Sequence, residues 1–280
     1  MHAGVSPFHR RMSHAALALA CALVMSPSLA SPTIKTGGTG SALHVISALG
    51  DAFKQTRPET DVIVLTGLGS GGAIKALGAD VIDLALSARP LKPTERSPLF
   101  LEKEVARTPL VFAGTRAYPG LTLERVAAIY AGERQVWPDG SALRLVLRPD
   151  NDTEAVLLRA ASPTVNRAVG KALARPGMHV ALTDQDAANA LATVPGSFGI
   201  TTLAMLVSGP QSIRAFPLDG ITPGLDSLNE GSYRMFKPLY LVVRTNAAEP
   251  VHAWVAFIES PRGAAILTAH GYQALAPSKW

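Results

Sequence analysis

The chain of 280 residues carries 26 lysines and arginines against 21 aspartates and glutamates, a formal charge of +5 at neutral pH. The basic residues are spread along the sequence without interleaved aromatic residues, so nucleic acid is not a favoured partner. The single cysteine, Cys21, lies in an N-terminal segment with the features of an export leader. Its removal would exclude disulfides, thiolate metal sites and cysteine nucleophiles from the mature protein.

The N-terminus has the three parts of a cleavable signal peptide, predicted at 1–30. Arg10 and Arg11 form a basic start, an apolar stretch too short for a membrane span follows, and a small-x-small cleavage site ends the segment. A twin-arginine signal and a lipoprotein site at Cys21 are alternatives, although neither usual motif is complete. We therefore expect a periplasmic protein of about 250 residues with a formal charge of +3.

After the leader, short apolar strands alternate with amphipathic helices, which is typical of an α/β fold with largely parallel strands. The predicted strands, in chain order, are TIKTGG, DVIVL, VIDLALS, PLVFAG, LRLVLR, SFGITT, SIRAFPL and PLYLVVR. The predicted helices are GSALHVISALGDAFKQT, AIKALGA, LTLERVAAIYAGE, TEAVLLRAA, VNRAVGKALA, DQDAANALATV, VHAWVAFIE and GAAILTAH. The first helix places Ala42, Ile46, Leu49 and Phe53 on one face, and Thr122 is the expected N-cap of the third.

The length and the absence of a long linker predict two lobes joined by two chain crossings. We expect the crossings near 113–116 and 237–242. The first lobe would then comprise 31–114 and 240–280, and the second 115–239. Each lobe would have a mixed, mainly parallel sheet flanked by helices, and a ligand would lie in the cleft between the lobes.

Two junctions between a strand and a helix have the same composition, TGGTGSAL at 36–43 and TGLGSGGAIKAL at 66–77. Helix N-termini expose unpaired N–H donors, glycine lets the backbone approach a ligand, and serine adds a hydroxyl, so this pattern predicts anion binding. The second loop also contains G-x-G-x-x-G. A dinucleotide site needs an acidic residue at the end of the next strand, which instead ends in Ser87, Ala88 and Arg89.

Glycine-rich loops of this kind also have two other interpretations. A nucleophile elbow is excluded because Leu68 stands where a glycine is required before Ser70. Simple tight turns and helix caps remain an alternative for both loops.

A third junction, LRPDNDTEAVLL at 147–158, offers Arg148 for a bidentate contact with an oxyanion and Thr153 for a hydroxyl contact. The alternative is that Asp152 is simply the N-cap of the following helix and Arg148 a surface ion-pair partner.

Taken together, these junctions resemble those of the periplasmic phosphate-binding proteins of ABC transporters, which have the type 2 periplasmic-binding-protein fold. TGGTGSA is similar to the family's TG-x-G-x-T/S turn, GLGSGGAIK to its G-x-G-S-x-G-G-x-K loop, and DLALSARPL to its D-x-x-x-S-x-x-P-L segment. LTLERVAAIYAG and VPGSFGITT resemble landmarks of the second lobe. The resemblance implies ligand-binding positions at Ser41, Ala42, Ser70, Gly71, Ser87, Arg148, Asp152 and Thr153.

The sequence departs from that family in two places. Many members have an aspartate where Ala88 stands, and that carboxylate accepts the proton of hydrogen phosphate. The family's R-x-x-x-S-G-T loop is represented by the shorter RPDNDT, which brings Asp150 and Asp152 close to the expected anion. Either one acid replaces the missing proton acceptor, or the ligand is not phosphate. We favour an arrangement in which the acids pair with Arg148 or Arg89 or point away.

The resulting hypothesis is a binding protein, not an enzyme, that captures an inorganic oxyanion, with phosphate as the first candidate, for an ABC permease in the inner membrane. Molybdate, tungstate or sulfate binding and a sensory role without transport are alternatives. An exported hydrolase would need a base such as His44, one turn from Ser41, which is more simply a helix-surface residue. We expect a monomer with no cofactor and no metal.

Overall fold

A computed structural model describes residues 1–2 and 31–277. The predicted leader lies almost wholly in 3–30, outside the described residues. Within the part of the chain that is described, no helix is both long enough and apolar enough to span a bilayer.

The described region alternates strands and helices. The strands are β1 (Thr33–Gly38), β2 (Asp61–Leu65), β3 (Leu84–Ser87), β4 (Phe100–Gly114), β5 (Arg144–Leu147), β6 (His179–Val180), β7 (Ser197–Thr202), β8 (Arg214–Ala215), β9 (Phe236–Arg244) and β10 (Gln273–Ala274). The helices are α1 (Leu43–Lys54), α2 (Gly69–Gly78), α3 (Leu123–Ala131), α4 (Thr153–Ala160), α5 (Pro163–Ala174), α6 (Asp184–Thr193), α7 (Leu203–Ser208), α8 (Leu225–Asn229), α9 (Glu249–Ile258) and α10 (Pro261–Ala269), and a 3-10 turn (Gly40–Ala42) precedes α1.

The strands form one mixed sheet in the order β2-β1-β3-β9-β4-β7-β5-β6, with β8 and β10 also paired to β4. β1 is parallel to β2 and β3, and β5 is parallel to β6 and β7. The long central strands β4 and β9 run antiparallel to each other and to their outer neighbours. The predicted α/β class is confirmed, and helices connect the parallel strands.

Strand β4 connects the two ends of the sheet. Its residues 100–109 pair with β9 and its residues 110–113 pair with β7. The strand therefore changes partner between Pro109 and Leu110. Only the second part of this strand, PLVFAG, is predicted from the sequence pattern.

Two large hydrophobic cores lie along the chain. The first contains side chains from 34–106 and 204–272, including Leu49, Phe53 and Trp254. The second contains side chains from 112–233, with Phe198 and Phe216 stacked at 5.8 Å between ring centroids. This division is compatible with two lobes, although the boundaries at 114 and 239 remain a prediction.

Local predictions for two helices are confirmed. The predicted apolar face of the first helix is fully buried. The Thr122 hydroxyl accepts from the Arg125 amide at 3.2 Å and caps α3. Burial of one helical face and capping of the exposed N-terminus are what the sequence pattern requires.

Candidate functional site

The candidate site is a cavity of about 180 Å³ beside the carboxyl ends of β1, β2 and β5. Ligands of open α/β sheets bind at this edge of the sheet. The lining residues are 38–40, 67–70, 182–185, Arg148, Asp152, Thr153 and Lys237. All three junctions predicted from the sequence therefore contribute to one cavity, together with the start of α6 and one residue of β9.

The first loop leaves β1 at Gly38, where the backbone passes very close to β3. A Cβ atom on Gly38 would lie 1.9 Å from the carbonyl oxygen of Leu86, and φ at Gly38 is +154°. Only glycine avoids this collision. The next amide, that of Thr39, donates to the same Leu86 oxygen at 3.0 Å. Strand β3 therefore fixes the position of Thr39 at the cavity wall.

The predicted ligand donors of the first loop bond within the protein. The Ser41 amide donates to Asp184 Oδ2 at 2.6 Å, and the Ala42 amide donates to the Thr39 carbonyl oxygen at 3.2 Å. Both residues are buried and lie outside the cavity lining. Thr39 and Gly40 line the cavity in their place.

The second loop presents an open helix N-terminus to the cavity. Gly67 and Gly69 have φ values of +78° and +61°, which glycine adopts without strain. Helix α2 begins at Gly69 with no side-chain cap and no acidic residue in its first turn. Ser70 lines the cavity, and its Oγ accepts from the Ala88 amide at 2.9 Å, which leaves the hydroxyl proton free to donate.

Two further predicted residues lie beside this loop rather than at the cavity. Gly71 follows Ser70 in the first turn of α2, is half-buried and lies outside the lining. Ser87 is fully buried at the end of β3, and its hydroxyl donates to the Arg89 carbonyl oxygen at 2.6 Å. Ser87 therefore shapes the turn that supports Ser70.

Every N–H group of Arg148 has an acceptor in the protein. Nε and Nη2 donate to the two carboxylate oxygens of Asp152 at 3.2 and 2.9 Å. Nη2 also donates to Asp184 Oδ1 at 2.9 Å, and Nη1 donates to the carbonyl oxygens of Ala181 and Thr183. A guanidinium has five N–H groups, so none remains for a ligand in this arrangement.

The acids of the third junction are paired, as the favoured interpretation expects. Asp152 caps α4 by accepting from the Glu154 amide at 2.9 Å and pairs with Arg148. Asp150 is exposed and pairs with Arg159. The alternative interpretation is therefore confirmed for Asp152, which is the N-cap of α4. It is wrong for Arg148, which is buried and not a surface ion-pair partner. Thr153 begins α4 at the cavity wall.

At the cavity wall, Arg148 belongs to a cluster of mostly buried charges. Lys237 Nζ donates to Glu154 Oε1 at 3.1 Å and to Asp184 Oδ2 at 3.0 Å. Arg148 Nε lies 3.3 Å from Glu154 Oε2. We call Arg148, Asp152, Glu154, Asp184 and Lys237 the buried charge cluster. It holds two cations and three carboxylates.

Burial and mutual attraction set the pKa values in this cluster. Burial is the largest effect on Glu154 and raises the pKa of this carboxyl to about 7, although Lys237 opposes the rise. Burial also opposes ionisation of Asp184, but Lys237 and Arg148 attract its carboxylate and leave its pKa below the ordinary value. The pKa of Lys237 is raised, because Asp184 and Glu154 outweigh the cost of burying the ammonium.

The start of α6 contacts the first loop directly. In addition to the bond from Ser41 to Asp184, Gln185 Nε2 donates to the Gly40 carbonyl oxygen at 3.0 Å. The sequence pattern does not indicate Asp184, Gln185 or Lys237 as site residues. The capping pattern TDQD marks 183–186 as a helix start, but nothing local indicates that it meets residues more than 140 positions earlier.

The hydrolase alternative gains no support from this geometry. His44 is exposed on α1, and the Ser41 hydroxyl lies 3.4 Å from the Thr39 hydroxyl. No hydrogen bond joins His44 to Ser41 among the described residues, so the serine has no adjacent base there. Within 31–277, no group of three or more His, Cys, Asp or Glu side chains is arranged to hold a metal ion.

Comparisons with known proteins agree with this architecture. A sequence profile for the PBP superfamily domain matches residues 26–262. Because the match covers most of the chain, the protein belongs to the PBP superfamily, that of the periplasmic binding proteins. No curated protein matches the sequence significantly.

Solved structures show the same fold. A Clostridium perfringens protein, described as a phosphate ABC transporter substrate-binding protein with bound phosphate, has a TM-score of 0.74 at 19% identity, over 87% of this chain and 99% of that chain. An ABC-type phosphate transport receptor from Vibrio cholerae has a TM-score of 0.63 at 20% identity, over 85% and 98%. The periplasmic molybdate-binding protein of Azotobacter vinelandii has 0.63 at 15%, over 88% and 100%. The predicted type 2 fold is confirmed, and these neighbours are binding proteins, not enzymes.

Proposed function

We propose that this protein is an exported solute-binding protein that captures an inorganic oxyanion in its cavity, with phosphate as the first candidate, and delivers it to an ABC permease in the inner membrane. The leader, the family and the position of the cavity at the carboxyl edge of the sheet support this assignment. The phosphate-binding neighbours support phosphate as the first ligand to test.

The open start of α2 is the observation that carries the proposal. Its first N–H groups have no side-chain cap, and the Ser70 hydroxyl beside them is free to donate. The volume of about 180 Å³ is small compared with the roughly 300–1,000 Å³ of sites for drug-sized ligands. A small anion fits this combination of size and donors.

In this proposal, Ser70 and Thr153, which line the cavity, contact the ligand through hydroxyl and amide groups. Arg148 and Asp152 form an ion pair with each other. Ser41, Ala42 and Ser87 stabilise the loops through bonds within the protein. The direct contacts of the ligand are therefore neutral hydroxyl and amide donors, and the dipole of α2 supplies positive potential.

Isothermal titration calorimetry with phosphate, sulfate, molybdate and tungstate tests this function. We expect saturable binding of at least one anion, with phosphate the tightest. Ser70→Ala should weaken that binding roughly 10- to 100-fold, because a hydrogen bond to a charged group is lost. Ser47→Ala, at an exposed position on α1, is the matched control and should bind as the wild type does. Absence of heat and of thermal stabilisation with all four anions would refute the proposal.

A further inference from the structure

The three α-helices that begin at the cavity differ in how their N-termini are satisfied. Helix α4 is capped by the carboxylate of Asp152. Helix α6 has a capping box between Thr183 and Asp186, and Asp184 lies in its first turn. Helix α2 has neither a side-chain cap nor an acidic residue. Positive potential from a helix dipole therefore remains uncompensated at only one of these three helix starts.

Lys237 adds a second feature that favours an anion in the same cavity. Its side chain is 2% exposed and lines the cavity, where Nζ donates to Glu154 and Asp184. An ammonium group has three N–H donors. The described residues supply acceptors for two of them. A buried donor without an acceptor costs free energy, and an anion beside Lys237 would accept from the third N–H group.

Asp152, in contrast, gives the cavity a feature that favours a positive group. Its side chain is 21% exposed, whereas the other four members of the buried charge cluster are between 1% and 5% exposed. The most exposed charge of the cluster is therefore a carboxylate, although Lys237 also lines the cavity. Asp152 Oδ2 accepts one bond, from Arg148, and retains capacity for another. A positive group at this point can therefore form a charge-assisted hydrogen bond with the Asp152 carboxylate.

The cavity is large enough for a ligand with two ends. Its volume of about 180 Å³ is many times the roughly 10–15 Å³ that one water molecule needs. A tetrahedral oxyanion has five heavy atoms, so space remains for a short chain that ends in a second polar group.

Building on the proposed function, we infer that the ligand is a small organic phosphate or phosphonate with an ammonium group at its other end. Its oxyanion binds the start of α2 above Lys237, and its ammonium group donates to the Asp152 carboxylate. Asp152 thus determines specificity. Inorganic phosphate fills only the first half of this site.

Calorimetric titration with phosphoethanolamine and ethyl phosphate tests this inference, because both are phosphate monoesters of ethyl chains and only the first has an ammonium group. We expect phosphoethanolamine to bind roughly tenfold tighter or better, owing to a charge-assisted hydrogen bond. Asp152→Asn should bring the two affinities together while preserving the fold, since asparagine also caps helices well. Asp150→Asn, at the exposed neighbouring acid, is the control and should keep the wild-type ratio.

The outcomes separate this inference from the proposed function. Equal binding of the two esters by the wild type, or a preference that survives in Asp152→Asn, overturns the two-ended ligand. Binding of inorganic phosphate with rejection of both esters overturns it too, but leaves oxyanion capture intact. Failure of every anion to bind removes both proposals.

Discussion

Arg148 has the chemistry of an anion receptor but acts in this structure as the centre of a scaffold. Its five N–H groups reach α4, α6 and the chain before α6, through Asp152, Asp184 and two carbonyl oxygens. Removing Arg148 itself would leave the buried carboxylates of Glu154 and Asp184 short of a cation, which is strongly destabilising. An anion can bind Arg148 directly only after one of these acceptors has moved.

Glu154 makes the stability of the protein depend on pH. Burial raises its pKa from 4.5 to about 7, so above pH 4.5 the unfolded chain has lost a proton that the folded protein keeps. The contribution of this group to the free energy of unfolding therefore falls as the pH rises through 7. Glu154→Gln removes the titrating proton. We expect urea unfolding of this variant between pH 5.5 and 8 to lack a pH-dependent loss of roughly 1–3 kcal/mol present in the wild type.

Glu230→Gln is the control for this measurement, because Glu230 is exposed and its substitution should keep the wild-type pH dependence. The lowered pKa of Asp184 acts in a separate window, since its stabilisation is lost only as the pH falls below 3.8. A wild-type stability that does not fall between pH 5.5 and 8 would show that Glu154 stays ionised.

Individual site residues could be predicted only where the signal is local. Ser70 and Thr153 stand at the starts of helices that follow strands, and both line the cavity. Asp184 and Lys237 were missed, because their partners are distant in sequence and no periodicity or motif records a contact between distant parts of the chain. The pairing of Asp152 with Arg148 agrees with the favoured interpretation, but sequence alone does not separate it from pairing with Arg89 or pointing away, since sequence shows charge but not orientation.

At the scale of elements, the two glycine loops depend on glycine for different reasons. Gly38 is buried against β3, where a Cβ atom would collide with the backbone oxygen of Leu86. A Cβ atom on Gly67 would meet nothing within 4 Å, so only its φ of +78° opposes substitution.

We expect Gly38→Ala to destabilise the protein by about 3 kcal/mol or more and to displace the first loop, because a backbone atom cannot yield as a side chain can. Gly67→Ala, the matched variant, should cost only about 1–2 kcal/mol from the left-handed backbone. Thermal and urea unfolding measure both. Equal losses for the two variants would contradict a packing role for Gly38.

The elements themselves were predicted well where the hydrophobic pattern is strong. The strands DVIVL and SFGITT match β2 and β7 to the residue. The first part of β4 was missed because its sequence FLEKEVAR carries four charged residues. Arg107, for example, pairs with Glu104 and covers the ring of Phe236, so these charges are satisfied at the sheet surface.

Across the whole molecule, two long strands and one helix start connect the parts of the cavity. β4 and β9 run side by side through the middle of the sheet, and β9 supplies Lys237. The start of α6 reaches the first loop through Asp184 and Gln185. The cavity therefore depends on residues from both ends of the sheet, and a change in their separation would alter it directly.

The fold could be predicted from sequence at this scale because several strand-to-helix junctions occur in the order typical of one family, and the family match confirms it. The chemistry of the cavity could not. Ligand preference depends on which donors are already bonded within the protein. Here the strongest donor, the Arg148 guanidinium, is already bonded to the carboxylates of Asp152 and Asp184.

The structure of the protein crystallised with phosphate is the most direct test of the central claim, that the start of α2 is the anion site. We expect phosphate oxygens within about 3.2 Å of the first-turn amides of α2 and of the Ser70 hydroxyl, with Lys237 below. Phosphate bound elsewhere with the start of α2 solvated, or a cavity that stays free of phosphate at saturating concentration, would contradict the account.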